Sequence, residues 1–424
     1  MISIFTRIRI LSAMKKIVLL ILLYVSIIPA FAAGDPYYIK SVSFNQGNES
    51  LIPIFRLNET FRFSFDDLMG SETDYYYKIV HCTRDWKQSD LKVTEYLSGM
   101  QNLRITTFET SFNTLQAFVH YKLSLPNRDT KFMISGNYKL EIYNNSNEKV
   151  IERRFVLYED LALVSMEIKK TRNLKVAAAK QNVYMTIDFG TTVLQNPKKN
   201  VNVVLLQNGQ WYNALTGLNP QYVIGNQFQY QYDEETNFWG GNEFLFFDNS
   251  DIKQVNNNVE KITRSDLFEI TLREKYPLKE SNFYTFYQDI NGGFKTRNAL
   301  RENHNTEADY AWVYFNYHLD KLPSSQKLYI VGMFNNYQLN SDYEVKFDEA
   351  TQTYTTALLL KQGFTNYKYI IAKADGTVLD ELNPDGNYFE TENQYNALVY
   401  YKNDSDRYER IIGLGKADSK LITN

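Results

Sequence analysis

Residues 74–91 read Asp-Tyr-Tyr-Tyr-Lys-Ile-Val-His-Cys-Thr-Arg-Asp-Trp-Lys-Gln-Ser-Asp-Leu. In the first half, Tyr77 and Ile79 alternate with Lys78 and Val80, and the side chains of a β-strand point to opposite faces with a period of two. This half therefore predicts a central β-strand. The alternation stops near Trp86 and resumes only at His120, so the stretch predicts a strand, a long excursion and a return strand that form one unit.

Eight blocks of sequence surround this strand in a fixed order. They occupy residues 74–78, 81–86, 95–99, 102–105, 111–116, 125–127, 135–138 and 153–155. Together they resemble the first domain of the type 9 secretion system plug proteins, and shorter similarities continue at 306–312 and 386–393. The resemblance implies a periplasmic, non-enzymatic protein that binds the periplasmic opening of the outer-membrane translocon barrel and occludes it.

Length and composition set independent bounds. A chain of 424 residues exceeds the size of one hydrophobic core, so two or three domains are expected. The net charge of −3, with 22% charged residues, gives no electrostatic reason to expect nucleic acid or a membrane surface as partner. Aromatic residues make up 15% of the chain, with 33 Tyr and 27 Phe, which favours pleated sheets.

The N-terminus has the layout of a secretory signal. Lys15 and Lys16 precede an apolar run at 17–28 and a small-residue stretch at 29–32, so we expect 1–33 to be a cleaved signal peptide whose translation starts at Met14. The apolar run is too short to span a bilayer. Cys82 is then the only cysteine, which excludes an internal disulfide and predicts a small buried hydrophobic residue.

Turn and linker signals divide the remainder. The expected fold class is all-β, with three consecutive immunoglobulin-like or early-set β-sandwich domains after the signal peptide. The predicted segments are a plug-type first sandwich at 34–160, a second sandwich at 161–291, a linker at 292–310, an early-set-like sandwich at 311–402 and a tail at 403–424.

The excursion after the central strand is the predicted contact surface. Loops on a rigid scaffold often carry binding residues, and Trp, Tyr and Arg are enriched where binding energy concentrates. The alternative is that the excursion folds back and covers the end of its own sandwich. The candidate partner-binding residues are Arg84, Trp86, Tyr96, Arg104, Phe108 and Phe112.

Two other function classes stay open. An exported glycan-binding protein would stack aromatic rings on sugar faces, with Trp312, Tyr337 and Tyr367 as its platform. A hydrolase would need two carboxylates in one cleft with perturbed pKa values. His81 and Cys82 are neighbours on a strand and face opposite ways, so they form no nucleophilic pair. The sequence predicts no catalytic residue, metal, cofactor or small-molecule substrate.

Overall fold

Burial in the central strand follows the alternation of its sequence. In Tyr76–Cys82 the side chains of Tyr77, Ile79 and His81 are buried, and those between them are half-buried. The structure is a computed structural model that describes residues 34–278, 283–420 and 422. Most of these residues lie in strands or their connections, which confirms the all-β prediction. The predicted signal peptide and its start at Met14 lie outside the described residues.

The first sandwich packs two sheets around an aromatic core. One sheet has the order β2-β1-β4-β9-β8, the other has the order β3-β12-β11-β5-β7, and β6 pairs with β10. Phe63, Phe65, Tyr121, Tyr138 and Phe155 are fully buried between the sheets. A short helix, α1, spans Val93–Tyr96. The strands are β1 Ile39–Gln46, β2 Glu49–Ser50, β3 Ile54–Arg56, β4 Phe61–Asp67, β5 Tyr76–Cys82, β6 Leu97–Gly99, β7 Leu103–Arg104, β8 Thr107–Thr110, β9 Val119–Leu125, β10 Thr130–Phe132, β11 Gly136–Tyr143 and β12 Lys149–Tyr158.

The second sandwich combines strands from the middle and the end of the chain. Helix α2 spans Pro197–Asn200. One sheet has the order β13-β14-β18-β17, with β19 beside β14, and the other has the order β16-β15-β29-β30. The strands are β13 Leu163–Lys170, β14 Lys180–Asp188, β15 Val201–Gln207, β16 Gln210–Leu215, β17 Tyr222–Ile224, β18 Gln227–Tyr230, β19 Asn237–Trp239, β29 Gln394–Tyr401 and β30 Arg410–Asp418.

The third sandwich uses the strands that lie between β19 and β29 in the chain. Its pairing runs β21-β22-β24-β27-β26-β25-β28, with β20 beside β28. Helix α3 spans His304–Glu307, and single 3-10 turns occupy Met333–Asn335, Ser341–Tyr343 and Asp380–Leu382. The strands are β20 Leu245–Asp248, β21 Val259–Arg264, β22 Phe268–Leu272, β23 Phe294–Thr296, β24 Tyr310–Tyr317, β25 Gln326–Val331, β26 Glu344–Asp348, β27 Thr353–Lys361 and β28 Gly363–Lys373.

Three segments lie outside the domains that the sequence predicted for them. Strands β20 to β22 fall in the predicted second domain, but Phe247, Ile270 and Leu272 belong to the third core. Strand β29 falls in the predicted third domain but pairs with β15 and fills the second core. The predicted tail contains β30, whose Ile411 and Ile412 are buried. Each of these segments therefore completes a sheet that another part of the chain begins, because this buries apolar side chains that would otherwise face water.

The predicted linker at 292–310 is also built into the fold. Strand β23 pairs with β28 on one side and, at Lys295, with Glu49 of β2 on the other. Gly363 allows this close approach, since a Cβ at that position, where φ is +150°, would lie 2.1 Å from the Lys295 carbonyl oxygen. The first and third sandwiches are thus joined by continuous backbone pairing. No helix among the described residues is long and apolar enough to cross a membrane.

Candidate functional site

Trp86, at the start of the predicted contact surface, lies inside the molecule. Its indole is 8% exposed and packs edge-to-face on Trp211, with 4.8 Å between ring centroids. The guanidinium of Arg154, a residue of the first sandwich, lies 4.9 Å from the centre of the Trp86 ring. The backbone at Trp86 is left-handed, with φ of +61°, which turns the side chain toward the second sandwich. Trp86 therefore joins two cores and has no face open to a partner.

Tyr96 and Phe108 cover their own sandwich. The Tyr96 ring is 5% exposed, and its hydroxyl donates to the carbonyl oxygen of Ile79 at 3.1 Å. Phe108 is half-buried, with its ring centroid 5.6 Å from that of Tyr121. For these residues the structure agrees with the alternative expectation, in which the excursion folds back onto the domain that carries it.

The remaining three candidates lie nearer the surface. Arg84 pairs with Glu409 at 3.3 Å and so belongs to the junction between the first and second sandwiches. Arg104 is half exposed and pairs with Asp74 at 2.6 Å. Phe112 is 63% exposed. The structure therefore leaves Arg104 and Phe112 as the outward-facing members of the predicted contact set.

The predicted sugar platform is not assembled. Tyr367 is 1% exposed and belongs to the third core. Tyr337 is half-buried, and burial of its hydroxyl raises its pKa. Trp312 is 39% exposed on β24 and shares an outward face with Tyr314, which is 40% exposed. The exposed aromatic pair is thus Trp312 with Tyr314, because Tyr367 faces the interior.

A buried ionic cluster connects the first and third sandwiches, and sequence analysis missed it. The Asp66 carboxylate is fully buried, and one oxygen accepts from the His120 ring at 2.6 Å. The other oxygen accepts from the Lys361 ammonium and from the Tyr310 hydroxyl, each at 2.6 Å. Lys361 also donates to the Asn305 carbonyl oxygen at 2.6 Å and lies 4.1 Å from the centre of the Phe118 ring.

The charges in this cluster compensate one another. Burial alone would raise the pKa of the Asp66 carboxyl, but the Lys361 ammonium and His120 hold it below its ordinary value. Asp66 and Lys361 are 295 positions apart in the chain, so local periodicity carries no signal of their contact. An Asp in an alternating strand, Phe-Arg-Phe-Ser-Phe-Asp-Asp, is the one hint that the sequence offered.

The loop that carries Phe112 is attached to the third sandwich. The Asp309 carboxylate accepts from the backbone N–H groups of Leu115 and Gln116, at 2.6 and 3.1 Å. The Phe112 N–H donates to the Thr306 carbonyl oxygen at 2.9 Å. Phe112 therefore projects from a loop that is fixed at both the first and third sandwiches, as a preorganised contact residue requires.

A second exposed aromatic group was not predicted. Phe283 and Phe286 are 93% and 53% exposed. Tyr284 lies between these two residues in the sequence, and its hydroxyl donates to the Glu243 carboxylate. Tyr287 follows Phe286, and its hydroxyl donates to the Glu243 carbonyl oxygen at 3.0 Å. The density of aromatic residues in Phe-Tyr-Thr-Phe-Tyr at 283–287 was the available signal. It shows no two-residue alternation of apolar and polar side chains, so it did not predict a strand.

Glu243 and Asp289 are among the carboxylates that a hydrolase function would single out, and burial also raises the pKa of Asp385 to about 6. Burial raises the pKa of Glu243 to about 7 and also raises that of Asp289. Glu243 accepts from the Glu392 N–H at 2.9 Å as well as from Tyr284. Asp289 accepts from the N–H groups of Phe244 and Asn291, at 2.6 and 2.8 Å. These bonds hold the loops at 243–244, 289–291 and 392 in place.

Comparison with known proteins supports the resemblance drawn from the sequence. Residues 39–159 match the family model described as the type 9 secretion system plug protein 1st domain, which confirms the resemblance for the first sandwich. A crystal structure at 2.30 Å resolution of a hypothetical protein from Parabacteroides merdae is similar over 91% of this chain and 98% of its own, with 29% identity and a TM-score of 0.86. No curated protein sequence matches this chain.

Proposed function

We propose that this chain, whose residues 39–159 match the first domain of the type 9 secretion system plug proteins, binds the periplasmic opening of the translocon barrel of that system and occludes it. The family match is the observation that carries the proposal. Occlusion requires a bulky body and a reversible interface, and it requires no catalysis. The protein would act in the periplasm, at the outer membrane, through its partner.

The joining of the three sandwiches supports this role. A body that closes a wide pore must resist being pulled apart at its domain boundaries. Here the first and third sandwiches share the Asp66 cluster and the strand β23, and the first and second share an apolar contact around Trp86. Ile411 and Ile412 of β30 are buried in two different clusters, so this strand holds the second sandwich and the junction together.

Arg104 and Phe112 are the proposed partner contacts. Both face outward on the excursion of the first sandwich, and aromatic and arginine side chains are enriched in protein interfaces. Phe283 and Phe286 form a separate exposed aromatic group that could extend the interface.

Affinity capture of the barrel tests the proposal. The tagged chain should recover the translocon barrel from membranes solubilised in mild detergent. The double variant Arg104→Ala/Phe112→Ala should weaken capture by about fivefold or more, because truncated hot-spot residues cost over ~1 kcal/mol each. The matched control is Arg172→Ala/Leu174→Ala, an exposed arginine and an apolar residue on the second sandwich. Failure of the unmodified chain to recover the barrel would refute the proposal.

The exposed pair on β24 favours glycan binding as a second candidate function. Trp312 and Tyr314 lie two positions apart on one face of the strand, so their rings are neighbours on an open sheet surface. Calorimetry with α-glucans decides between the candidates. Binding that is lost in Trp312→Ala/Tyr314→Ala would favour the glycan function, and the plug function predicts no heat of binding.

A further inference from the structure

A pocket of about 550 Å³ lies at the start of strand β20 in the third sandwich. Leu245 and the rings of Tyr276 and Tyr287 line it, and so do the charged side chains of Lys275 and Asp385. Pockets of roughly 300–1,000 Å³ with apolar walls and a few polar groups are typical binding sites for small molecules. The proposed plug function does not use this pocket, and the inference below depends neither on that function nor on the exposed pair on β24.

Asp385 offers the pocket an unused carboxylate oxygen. The residue is 7% exposed, and one of its side-chain oxygens accepts from the Tyr317 hydroxyl at 2.9 Å. The other oxygen forms no hydrogen bond or ion pair with the described part of the chain, yet it is accessible from the pocket. A largely desolvated carboxylate forms strong hydrogen bonds, so this oxygen is ready to accept from a hydroxyl or N–H group of a ligand.

Lys275 is the other charged side chain among the described residues that line the pocket. Its ammonium donates to the Asn258 side-chain oxygen at 3.3 Å, which leaves two of its three N–H donors without a described partner. Burial raises the pKa of Asp385 to about 6 and lowers that of Lys275, and the attraction between the two charges opposes both shifts. The two charges are therefore close and balance each other, which disfavours a ligand with a net charge of either sign.

Tyr276 provides a flat apolar surface in the pocket wall. One face of its ring stacks on the His318 ring, with 4.3 Å between the centroids and 6° between the planes. Its hydroxyl donates to Glu274 at 3.1 Å, and Glu274 also accepts from His318 at 2.8 Å. The ring is thus held from behind, and because Tyr276 is 60% exposed, its opposite face is open. A ring fixed in this way loses little conformational freedom when a ligand stacks on it.

We propose that this pocket binds a neutral β-linked disaccharide, with one pyranose ring stacked on Tyr276 and its hydroxyls bonded to Asp385 and Lys275. Neighbouring hydroxyls of a pyranose lie along one edge of the ring and can each donate and accept, so one donates to the carboxylate and the next accepts from the ammonium. A trans peptide unit directs its N–H and C=O in opposite directions and cannot serve both groups at one place. When the hydroxyls are equatorial, the sugar ring also presents a flat face of C–H groups to the tyrosine.

Isothermal calorimetry with cellobiose and the purified chain tests this. Cellobiose should bind at one site per chain, and its affinity should fall about fivefold or more in Asp385→Asn, which loses a charged acceptor. Tyr276→Ala removes the stacking surface and should weaken binding by about fivefold. Asp385→Asn keeps an acceptor for the Tyr317 hydroxyl, and the Tyr276 ring is mostly exposed, so far-ultraviolet circular dichroism should show both variants folded.

Two matched controls leave the pocket intact. Asp67→Asn changes a buried carboxylate of the first sandwich that accepts from the Tyr75 hydroxyl at 2.8 Å. Tyr222→Ala removes a ring that is 52% exposed on β17 of the second sandwich. Each should change the affinity for cellobiose by less than about twofold, because neither residue lies near the pocket.

Charged analogues separate a sugar site from a site for ions. Cellobiouronic acid is anionic and the β-linked glucosamine dimer is cationic, and each should bind at least about fivefold more weakly than cellobiose, since each places a charge beside a like charge of the pocket. Trp312→Ala/Tyr314→Ala should bind cellobiose with unchanged affinity, which distinguishes this pocket from the exposed pair on β24. The proposal fails if cellobiose gives no heat of binding, or if Asp385→Asn and Tyr276→Ala bind it as tightly as the unmodified chain. It also fails if either charged dimer binds as tightly as cellobiose.

Discussion

Trp86 and Phe112 belong to one excursion but lie in opposite environments. Trp86 is 8% exposed between two sandwiches, whereas Phe112 is 63% exposed on the surface. Both are large apolar residues in a polar stretch, and that pattern alone predicts contact without saying whether the contact is internal. The contact of Trp86 is internal because its ring packs on that of Trp211, which belongs to a different domain.

Trp86→Ala should therefore act on stability. Removal of a buried indole leaves a cavity, and we expect a loss of ~3–5 kcal/mol in the free energy of unfolding, measured by urea denaturation. Phe112→Ala should change that free energy by less than about 0.5 kcal/mol, because the ring is mostly in water. A destabilised Phe112→Ala with an unaffected Trp86→Ala would contradict the assigned environments.

Asp66→Asn should leave the Lys361 ammonium buried without its counter-charge. Breaking a buried pair by removing one partner typically costs ~3–5 kcal/mol, and we expect a loss of this size in urea denaturation. Asp129→Asn, at an exposed position, is the matched control and should be nearly neutral. If Asp66→Asn unfolds at the same denaturant concentration as the unmodified chain, the cluster does not hold the first and third sandwiches together.

Glu243 should give the stability a distinct pH dependence. Burial raises its pKa from 4.5 to about 7, so the folded chain binds this proton more tightly than the unfolded chain. Its favourable contribution is complete below the unfolded value and is lost as the pH rises toward 7. Glu243→Gln should flatten the decline in unfolding free energy across this window, while keeping an acceptor for the Glu392 N–H.

The difference between the pH profiles of Glu243→Gln and the unmodified chain separates the contribution of Glu243 from those of other titrating groups. Burial lowers the pKa of His81 to about 4, which makes stability fall as the pH drops below 6.5, the opposite direction. His81 is present in both proteins, so the difference between their pH profiles cancels it. Glu260→Gln, at an exposed carboxylate, controls for the change in net charge. Parallel profiles for Glu243→Gln and the unmodified chain would contradict the assignment.

Strands whose sequence alternates were predictable, and strands without alternation were not. Residues 61–67 and 76–82 alternate in sequence, and both form strands of the first sandwich. Strand β30 begins Arg-Ile-Ile-Gly-Leu-Gly, without alternation, because Ile411 faces the junction and Ile412 faces the second core. The sequence of that strand therefore resembles a tail.

The pairing of strands from distant segments could not be predicted from local sequence patterns. Val201–Gln207 pairs with Gln394–Tyr401, and each strand shows an apolar pattern that any sheet could accept. Which partner is chosen depends on the three-dimensional fit of the cores. The Asp66 cluster could not be predicted for the same reason, since it is assembled from residues of distant segments.

Truncation tests the role of β30. A chain that ends at Lys402 should lose the second sandwich, because β29 loses its neighbour and Ile412 is removed from the core. A chain that ends at Ile422 retains β30 and the Ile422 side chain that packs against the second core, and it should keep the thermal midpoint of the full chain. Near-ultraviolet circular dichroism should show loss of fixed aromatic packing only in the shorter chain. A native spectrum for the chain that ends at Lys402 would mean that β30 is dispensable.

At the scale of the whole molecule, the three sandwiches form one body. Residues 35–424 make a single compact unit, in which strand pairing, an apolar junction and a buried ionic cluster connect the sandwiches. Such a body offers shape and surface, and the proposed plug function would use both.

The most direct test of the proposed function is the conductance of the purified translocon barrel in a planar bilayer, with this chain added on the periplasmic side. The account predicts that the chain abolishes most of the open-pore current, and that Arg104→Ala/Phe112→Ala requires a higher concentration for the same effect. An open current that persists at saturating concentrations of the folded chain would contradict it.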